Sequence, residues 1–263
     1  MKTIFLFFIS SILFLCTTVN YGQGFSQEIG IVAGPVALKS DYGLRGNSET
    51  NYGNVGVGIG LVHYINFAYS ASSNSYTSDK YFNNHFKIRT EFDYHTTSLD
   101  HYGKQAEKKT AEGLKLRSMH GKAKVIEIGP SIEYFPRSIR EYESGYFKFA
   151  PYISLGVHYV NYSPQAETDL PGRIGSSANT FYEFVAPTGE EPYINTASGS
   201  TYAITFSAGS RYRLNDSSDL LLDLRWHVYG SDFIDGLDHD NVQNKSNDWM
   251  VWLNVGYVYY LNF

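Results

Sequence analysis

Acidic and histidine side chains that could carry acid–base chemistry are concentrated in one stretch of the sequence. Asp93, His95, Asp100 and His101 lie there, and His158 lies in a later segment. Nucleophilic catalysis needs a nucleophile, a base and an orienting acid within mutual hydrogen-bond reach. No recognised catalytic signature surrounds any serine of the chain. We therefore interpret these side chains as parts of polar networks, and we predict no catalytic residues and no enzymatic activity.

A second acidic group contains oxygen ligands of the kind that Ca²⁺ prefers. Its members are Asp232, Asp235, Asp238, His239 and Asp240. Their spacing does not match an EF-hand loop, and such a cluster is typical of a solvated acidic loop. We predict no metal site and no cofactor.

Three glycines, Gly56, Gly58 and Gly60, repeat at two-residue intervals. A dinucleotide-binding loop needs different spacing and a helix directly after it. The two-residue interval instead places all three on one face of a β-strand. We predict that they make room for bulky side chains from neighbouring strands.

Alternation of apolar and polar residues with period two predicts eight strands. The clearest of these strands, Phe86 to Thr96, alternates aromatic or aliphatic residues with Lys87, Arg89, Glu91, Asp93 and His95. The core of a soluble β-sandwich would not accept such a charged face. The predicted strands are Gln27 to Leu38, Val55 to Tyr69, Phe86 to Thr96, Lys124 to Phe135, Phe147 to Tyr159, Thr201 to Leu214, Leu220 to Tyr229 and Trp249 to Phe263.

The last predicted strand has a fully apolar face and ends on an aromatic residue. Closing a barrel removes the sheet edges that such a strand would otherwise expose. Asn254, Gly256, Tyr259, Leu261 and Phe263 resemble the carboxy-terminal assembly signal of outer-membrane barrels, which implies recognition by the barrel-assembly machinery. The sequence predicts an all-β fold: an eight-stranded antiparallel transmembrane β-barrel with long extracellular loops and short periplasmic turns.

The amino-terminal residues have the pattern of a secretory signal peptide. Lys2 precedes an apolar run from Ile4 to Cys16, which is too short to cross a membrane as a helix. We predict a cleaved signal peptide at residues 1–22, a barrel at residues 23–263, and location in the cell outer membrane. The net charge of −5 gives no reason to expect a nucleic-acid partner.

The predicted inward faces carry equal numbers of cations and anions. An eight-stranded barrel is only wide enough for side chains to fill its interior, and buried ions must be paired. This balance favours a closed, ion-paired interior over a pore. The predicted inward cations are Lys87, Arg89, Lys148, Arg211, Arg213 and Arg225, and the predicted inward anions are Glu28, Glu91, Asp93, Glu127, Glu133 and Asp223.

Several short segments together carry a resemblance to a known family. They are Glu28-Ile29-Gly30 with Gly34, Asp41-Tyr42-Gly43, His63-Tyr64-Ile65-Asn66-Phe67, Ala150-Pro151-Tyr152-Ile153, Trp226 with Ser231-Asp232-Phe233-Ile234-Asp235, and Ser246-Asn247-Asp248-Trp249. These segments resemble the PorG-like family of small outer-membrane barrels, which is associated with type IX secretion in Bacteroidota.

The resemblance implies a non-enzymatic barrel that anchors periplasmic secretion machinery, such as a lipoprotein and ring complex, to the outer membrane. The periplasmic turn from Pro136 to Gly145, with Arg137, Arg140, Glu141 and Glu143, is the docking surface that we expect, together with Ser70 to Asn84. The alternative is a stand-alone barrel of the OmpA or OmpX type, which stabilises the membrane or binds a surface ligand. Outer-membrane lipid and lipopolysaccharide are expected partners in either case, and the basic stretch from Lys104 to Arg117 could contact lipopolysaccharide.

Overall fold

The computed structural model describes residues 26–44, 47–68, 81–238 and 246–261. The predicted signal peptide, residues 1–22, lies outside the described residues, as does most of the predicted turn from Ser70 to Asn84. The strands are β1 (Ser26–Lys39), β2 (Val55–Asn66), β3 (Phe86–Asp100), β4 (Met119–Tyr134), β5 (Phe149–Tyr162), β6 (Gln165–Thr168), β7 (Gly199–Asn215), β8 (Ser218–Tyr229) and β9 (Trp249–Leu261). Short helices are α1 (Ser48–Asn51), α2 (Tyr81–His85), α3 (Ala111–Ser118) and α4 (Ile139–Glu143), with a 3₁₀ helix at Tyr182–Phe184.

Eight of these strands form a closed antiparallel barrel. Their order is β3-β2-β1-β9-β8-β7-β5-β4, and pairing of β3 with β4 closes the ring. The first and last strands pair along most of their length, with Ile31 opposite Tyr257 and Gln27 opposite Leu261, and the pairing is interrupted only at Gly34 and Pro35. The predicted eight-stranded barrel is confirmed.

Side chains alternate between the outside and the inside of the barrel, as the period-two pattern predicts. On the outer face, Val57, Leu61 and Val255 are 62, 59 and 61% exposed. On the inner face, Glu28 and Trp252 are fully buried. An apolar exterior around a polar interior is the arrangement of a membrane-spanning barrel. Among the described residues, no helix is long and apolar enough to cross a membrane.

The two ends of the barrel differ in how the strands are joined. At one end, here called the turn end, the connections are residues 67–85, 135–148 and 216–217, and β1 begins and β9 ends there. At the other end, the loop end, the connections are residues 40–54, 101–118, 163–198 and 230–248. In the described parts of these loops Tyr42, Ile234 and Leu237 are fully buried, and the loops contact one another, with the Tyr42 ring stacked on His101 and the Asp41 amide hydrogen-bonded to Asp235.

The observed strands differ from the predicted ones at the loop end. The hairpin of β3 and β4 continues to the pair Asp100 with His120, four residues beyond the predicted end of β3 at Thr96. The short strand β6 then pairs with the start of β4, with Ala166 opposite Gly121. The period-two pattern predicts neither feature, because a hairpin outside the lipid layer has no apolar outer face. At the turn end, β2 ends at Asn66 and not at Tyr69.

Candidate functional site

Charged side chains fill the turn-end half of the lumen and pair with each other. Arg89 Nε lies 2.9 Å from Glu91 Oε1, and Arg89 Nη1 lies 2.8 Å from Glu133 Oε1. Lys87 Nζ and Arg211 Nη1 each lie 2.5 Å from a different oxygen of Glu28. All six side chains are at most 1% exposed. The network confirms the predicted ion-paired interior, and it occupies the space that a pore would need.

The predicted one-to-one charge balance of the interior is wrong. Lys148 precedes β5 and is exposed, because this strand begins at Phe149 and not at Phe147. Arg213 lies at the turn end, where Nη2 is 2.9 Å from Asp216 Oδ1. Asp219, predicted to lie in a turn, is instead a fully buried residue of β8. Buried carboxylates of the barrel strands therefore outnumber its buried lysines and arginines: Glu28, Glu91, Asp93, Glu127, Glu133, Asp219 and Asp223 against Lys87, Arg89, Arg211 and Arg225.

The loop-end half of the lumen has a different composition, with three histidines around one carboxylate. Glu127 Oε2 lies 2.8 Å from His227 Nδ1 and 3.1 Å from His158 Nδ1. Glu127 Oε1 lies 3.9 Å from His95 Nε2, and it accepts a hydrogen bond of 2.8 Å from the Tyr229 hydroxyl. The three histidines and Glu127 are at most 1% exposed. Here they are called the histidine cluster.

The glycines of β2 make this cluster possible. A Cβ atom on Gly58 would lie 2.6 Å from His95 Nδ1 and 2.9 Å from the Trp252 ring. A Cβ atom on Gly60 would collide with the Asp93 carboxylate. Such distances are shorter than van der Waals contact, so only glycine fits beside these side chains. The prediction that the glycines make room for bulky inward side chains is confirmed for Gly58 and Gly60, whereas a Cβ atom on Gly56 would meet the Thr96 carbonyl oxygen and Thr97.

The structure does not bring the five acid–base candidates together in one site. Asp93, His95 and His158 lie in the lumen, whereas Asp100 and His101 lie at the loop end. The His101 ring stacks on Tyr42 with ring centroids 4.7 Å apart. The backbone amide of Asp100 donates a hydrogen bond of 2.9 Å to Asn54 Oδ1, and the Asp100 side chain is exposed. The loop-end pair is thus part of the packing of the loops.

The predicted docking residues lie at the turn end, in or next to α4. Arg137, Arg140 and Glu141 are exposed. The Arg137 guanidinium lies 4.0 Å from the centroid of the Phe147 ring, and Arg140 Nη2 donates to the Ala68 carbonyl oxygen at 2.9 Å. Glu143 differs from them, because it points into the barrel.

The Glu143 carboxylate belongs to the lumen network. Its Oε1 accepts hydrogen bonds from Lys87 Nζ at 3.0 Å and from Asn66 Nδ2 at 2.5 Å. Only three of the four predicted docking residues therefore present charged groups at the turn-end surface. Helix α4 covers the turn-end mouth of the barrel and inserts Glu143 as part of its closure.

At the loop end, Asp235 holds two loops together. Its carboxylate accepts hydrogen bonds from the backbone amides of Asp41 at 2.9 Å and Leu237 at 2.8 Å. Burial raises the pKa of Asp235 to about 7. Carboxylate oxygens of Asp41, Asp232 and Asp238 lie within 4.8 Å of one another. His239 and Asp240 lie outside the described residues.

The loop end also contains two cavities. One, of about 750 Å³, lies within the long loop after β5 and is lined by Glu167, Arg173, Phe184 and Tyr193, among others. The other, of about 390 Å³, lies between the loops near Tyr42 and His101. The loop end is thus a folded surface with concave regions, in contrast to the smaller turn end.

Part of the predicted basic stretch is used to fold these loops. Arg117 Nη1 donates to the carbonyl oxygens of Ala106 at 2.6 Å and Lys108 at 2.9 Å. Lys115 Nζ lies 2.8 Å from Glu112 Oε1. The side chains of Lys104 and Lys109 are exposed. The contact of this stretch with lipopolysaccharide stays a prediction.

The residues of the predicted assembly signal alternate across β9. Asn254 faces the lumen and is fully buried, whereas Tyr259 faces outward and is 45% exposed. Gly256 faces inward, where a Cβ atom would lie 2.7 Å from Val32 Cγ1. Leu261 is the last residue of β9, and Phe263 lies outside the described residues. Their role in assembly stays a prediction.

No known protein-family profile matches the chain, and no curated protein sequence matches it. Among solved structures it is similar to Ail, the attachment invasion locus protein of Yersinia pestis, in complex with the heparin analogue sucrose octasulfate (11% identity, TM-score 0.43, 90% of this chain and 99% of that chain). It is also similar to Neisserial surface protein A (13% identity, TM-score 0.44, 89% of this chain and 96% of that chain). A third similar structure is the outer membrane protein OprG from Pseudomonas aeruginosa (13% identity, TM-score 0.41, 90% of this chain and 98% of that chain). The strand pairing, apolar exterior and ion-paired interior of this chain themselves define a small membrane-spanning β-barrel.

Proposed function

We propose that the protein is a non-enzymatic outer-membrane β-barrel that acts through its two ends and not through a channel. The ion-paired lumen carries this proposal, because Arg89, Arg211 and their carboxylate partners occupy the barrel axis. The apolar outer face supports membrane insertion. In this proposal the turn end, where β1 begins and β9 ends, faces the periplasm. The loop end faces the outside of the cell.

A conductance measurement tests the closed-lumen part of the proposal. We expect purified barrel in planar bilayers to show no stable ion-conducting state. The Arg89→Ala/Arg211→Ala double variant removes two of the large side chains that fill the lumen, so it serves as the comparison. Steady single-channel conductance of the unmodified protein would contradict a closed barrel.

The more specific role that we propose is anchoring of periplasmic secretion machinery of the type IX class. This role comes from the sequence resemblance, and the turn-end surface supports it: Arg137, Arg140 and Glu141 present charged groups in or next to α4. Charge pairs at the rim of an interface mainly govern association and its salt dependence. A turn-end docking site would therefore be sensitive to charge reversal.

The test is affinity purification of the tagged barrel from solubilised outer membranes, with mass spectrometry of the proteins recovered. We expect Arg137→Glu/Arg140→Glu to reduce recovery of periplasmic lipoprotein and ring components. The matched control is Lys109→Glu, which reverses an exposed charge at the loop end. Heat-modifiable electrophoretic mobility verifies that each variant is folded. Equal recovery of the partners with both variants would refute docking at this surface.

The second candidate function is binding of a surface ligand at the loop end by a stand-alone barrel. The cavity of about 750 Å³ in the loop after β5 favours it, because binding sites are usually concave. Replacing residues 171–192 by a short Gly-Ser linker leaves β6 and the pairing of β5 with β7 in place. Loss of adhesion or of resistance phenotypes with unchanged secretion would support this candidate, whereas a secretion defect in the turn-end variant alone would support anchoring.

A further inference from the structure

We propose that the histidine cluster in the loop-end half of the lumen is a binding site for one divalent transition-metal ion, with Zn²⁺ as the best match. His95, His227 and Glu127 are the ligands, and His158 Nδ1 lies 3.1 Å from Glu127 Oε2, where it orients this carboxylate. Nitrogen and oxygen atoms of the first three lie within 4.8 Å of one another. Neither the closed-barrel function nor the roles of the two ends uses this cluster.

The distances fit a compact coordination sphere. Zn²⁺ binds imidazole nitrogen and carboxylate oxygen at about 2.0 to 2.2 Å, so neighbouring ligand atoms of a tetrahedral site are roughly 3.3 Å apart. The nitrogen-to-oxygen distances around Glu127 are 2.8 Å for His227, 3.1 Å for His158 and 3.9 Å for His95. Small side-chain rotations would bring the ligand atoms of His95, His227 and Glu127 to a single ion.

A second observation concerns the ring nitrogens of His95. The side chain is 1% exposed, yet neither ring nitrogen has a hydrogen-bond partner among the described residues. Its Nε2 points towards Glu127, and the edge of its ring packs against Trp252 with centroids 4.6 Å apart. Buried polar groups in native proteins almost always have a partner. A metal ion would supply one for His95.

The balance of charge in the lumen also favours a bound cation. Within the described part of the chain, the ion-pair partners of Glu127 are all histidines, whereas Glu91 and Glu133 each contact arginine. The barrel also contains more buried carboxylates than buried lysines and arginines. A divalent cation at Glu127 would offset this excess in the half of the lumen where arginine and lysine are scarce.

The donor set selects the class of metal. Imidazole with carboxylate, without thiolate, suits Zn²⁺ and its neighbours Cu²⁺ and Ni²⁺, whereas Ca²⁺ and Mg²⁺ prefer all-oxygen sites. The Tyr229 hydroxyl donates to Glu127 at 2.8 Å and would orient this ligand, as outer hydrogen bonds do in metal sites. Such an ion would connect opposite walls, because His95 on β3 and His227 on β8 lie four places apart in the ring of eight strands.

The experiment measures metal content and thermal stability of the same samples. Full-length barrel carrying a tag without histidine is refolded in detergent with Zn²⁺, dialysed, and analysed by inductively coupled plasma mass spectrometry. We expect close to one Zn²⁺ per barrel and a lower unfolding temperature after chelation, because metal binding contributes folding free energy. His95→Gln and His227→Gln should retain less than about a tenth of the metal, since even loss of outer-shell partners costs 10- to 100-fold in affinity.

His63→Gln is the matched control, because His63 lies on the outer face of β2, beside Gln27. It should bind Zn²⁺ like the unmodified protein. If the lumen variants do not fold, Tyr229→Phe and the visible ligand-field spectrum of the Co²⁺-loaded unmodified protein test the site without removing a ligand. Less than about a tenth of an equivalent of Zn²⁺ in the folded, unmodified barrel, with the same unfolding temperature in chelator, would overturn the proposal. The cluster would then be a hydrogen-bonded network around Glu127.

Discussion

Replacement of Arg89 by methionine tests whether the ion pairs of the lumen hold the barrel together. Arg89 is fully buried, and its guanidinium contacts Glu133 at 2.8 Å, Glu91 at 2.9 Å and Asp223 at 3.4 Å. Methionine keeps an unbranched side chain but removes the positive charge. Three carboxylates would then share the remaining arginines of the network.

The expected loss of folding free energy depends on two opposing effects, the lost ion-pair attractions and the removed cost of burying a charge. At an effective dielectric constant of about 20, each of the three attractions is worth roughly 5 kcal/mol. Removing the guanidinium also removes its desolvation penalty of several kcal/mol, and the carboxylates left behind can take up protons. Breaking a buried pair by removing one partner costs about 3 to 5 kcal/mol. We therefore expect Arg89→Met to lower the free energy of unfolding by that amount.

Urea unfolding in detergent micelles or lipid vesicles, followed by heat-modifiable mobility and tryptophan fluorescence, measures this change. Lys109→Met is the control, since Lys109 is exposed and its loss should change the free energy of unfolding by no more than about 0.5 kcal/mol. The double variant Arg89→Met/Glu133→Gln should recover part of the loss, because it removes one uncompensated carboxylate. A loss below about 1 kcal/mol in the single variant would refute a structural role for this network.

Two further predictions concern the loop end and the glycines of β2. Burial raises the pKa of Asp235 to about 7, so between about pH 4 and pH 7 the folded state holds a proton that the unfolded state has released. The free energy of unfolding of this region should therefore fall as the pH rises from about 4 to about 7. Hydrogen exchange at the Asp41 amide should be better protected at pH 5 than at pH 8, and Asp235→Asn should abolish the difference; equal protection in the unmodified protein would contradict the assignment. Gly58→Val should lower the free energy of unfolding by about 1 to 3 kcal/mol through collision with His95. The outward-facing variant Ala33→Val is the control in the same urea assay, and equal stabilities would show that the lumen tolerates a larger residue there.

Strand positions and facing directions could be predicted from the sequence because they depend on local alternation. Ile29 and Glu28 are neighbours in sequence, yet one faces outward and the other is fully buried. This difference follows from the two-residue period of a strand and from the contrast between lipid and lumen. The inward charged face of β3 and the inward glycines of β2 also follow from local alternation. The structure confirms that both sets of residues face the lumen.

Features that depend on the folding of connections were missed or wrongly placed. Glu143 belongs to a short helix whose sequence indicates only a polar turn, and its insertion beside Lys87 depends on how that turn folds back. Asp219 follows a two-residue turn, so a shift of the strand start by two residues decides whether it is exposed or buried. Lys148 shows the opposite error at the start of β5.

By itself, the sequence determined the class of fold, the eight membrane-spanning segments and the polarity of each face, because these arise from interactions between near neighbours and their surroundings. Only the tertiary structure decided which lumen side chains meet. His95 and His227 come from opposite walls of the barrel, and they converge on Glu127 because of the stagger between strands that closes the ring. A period-two pattern carries no information about that stagger, so the histidine cluster emerges only from the closed barrel.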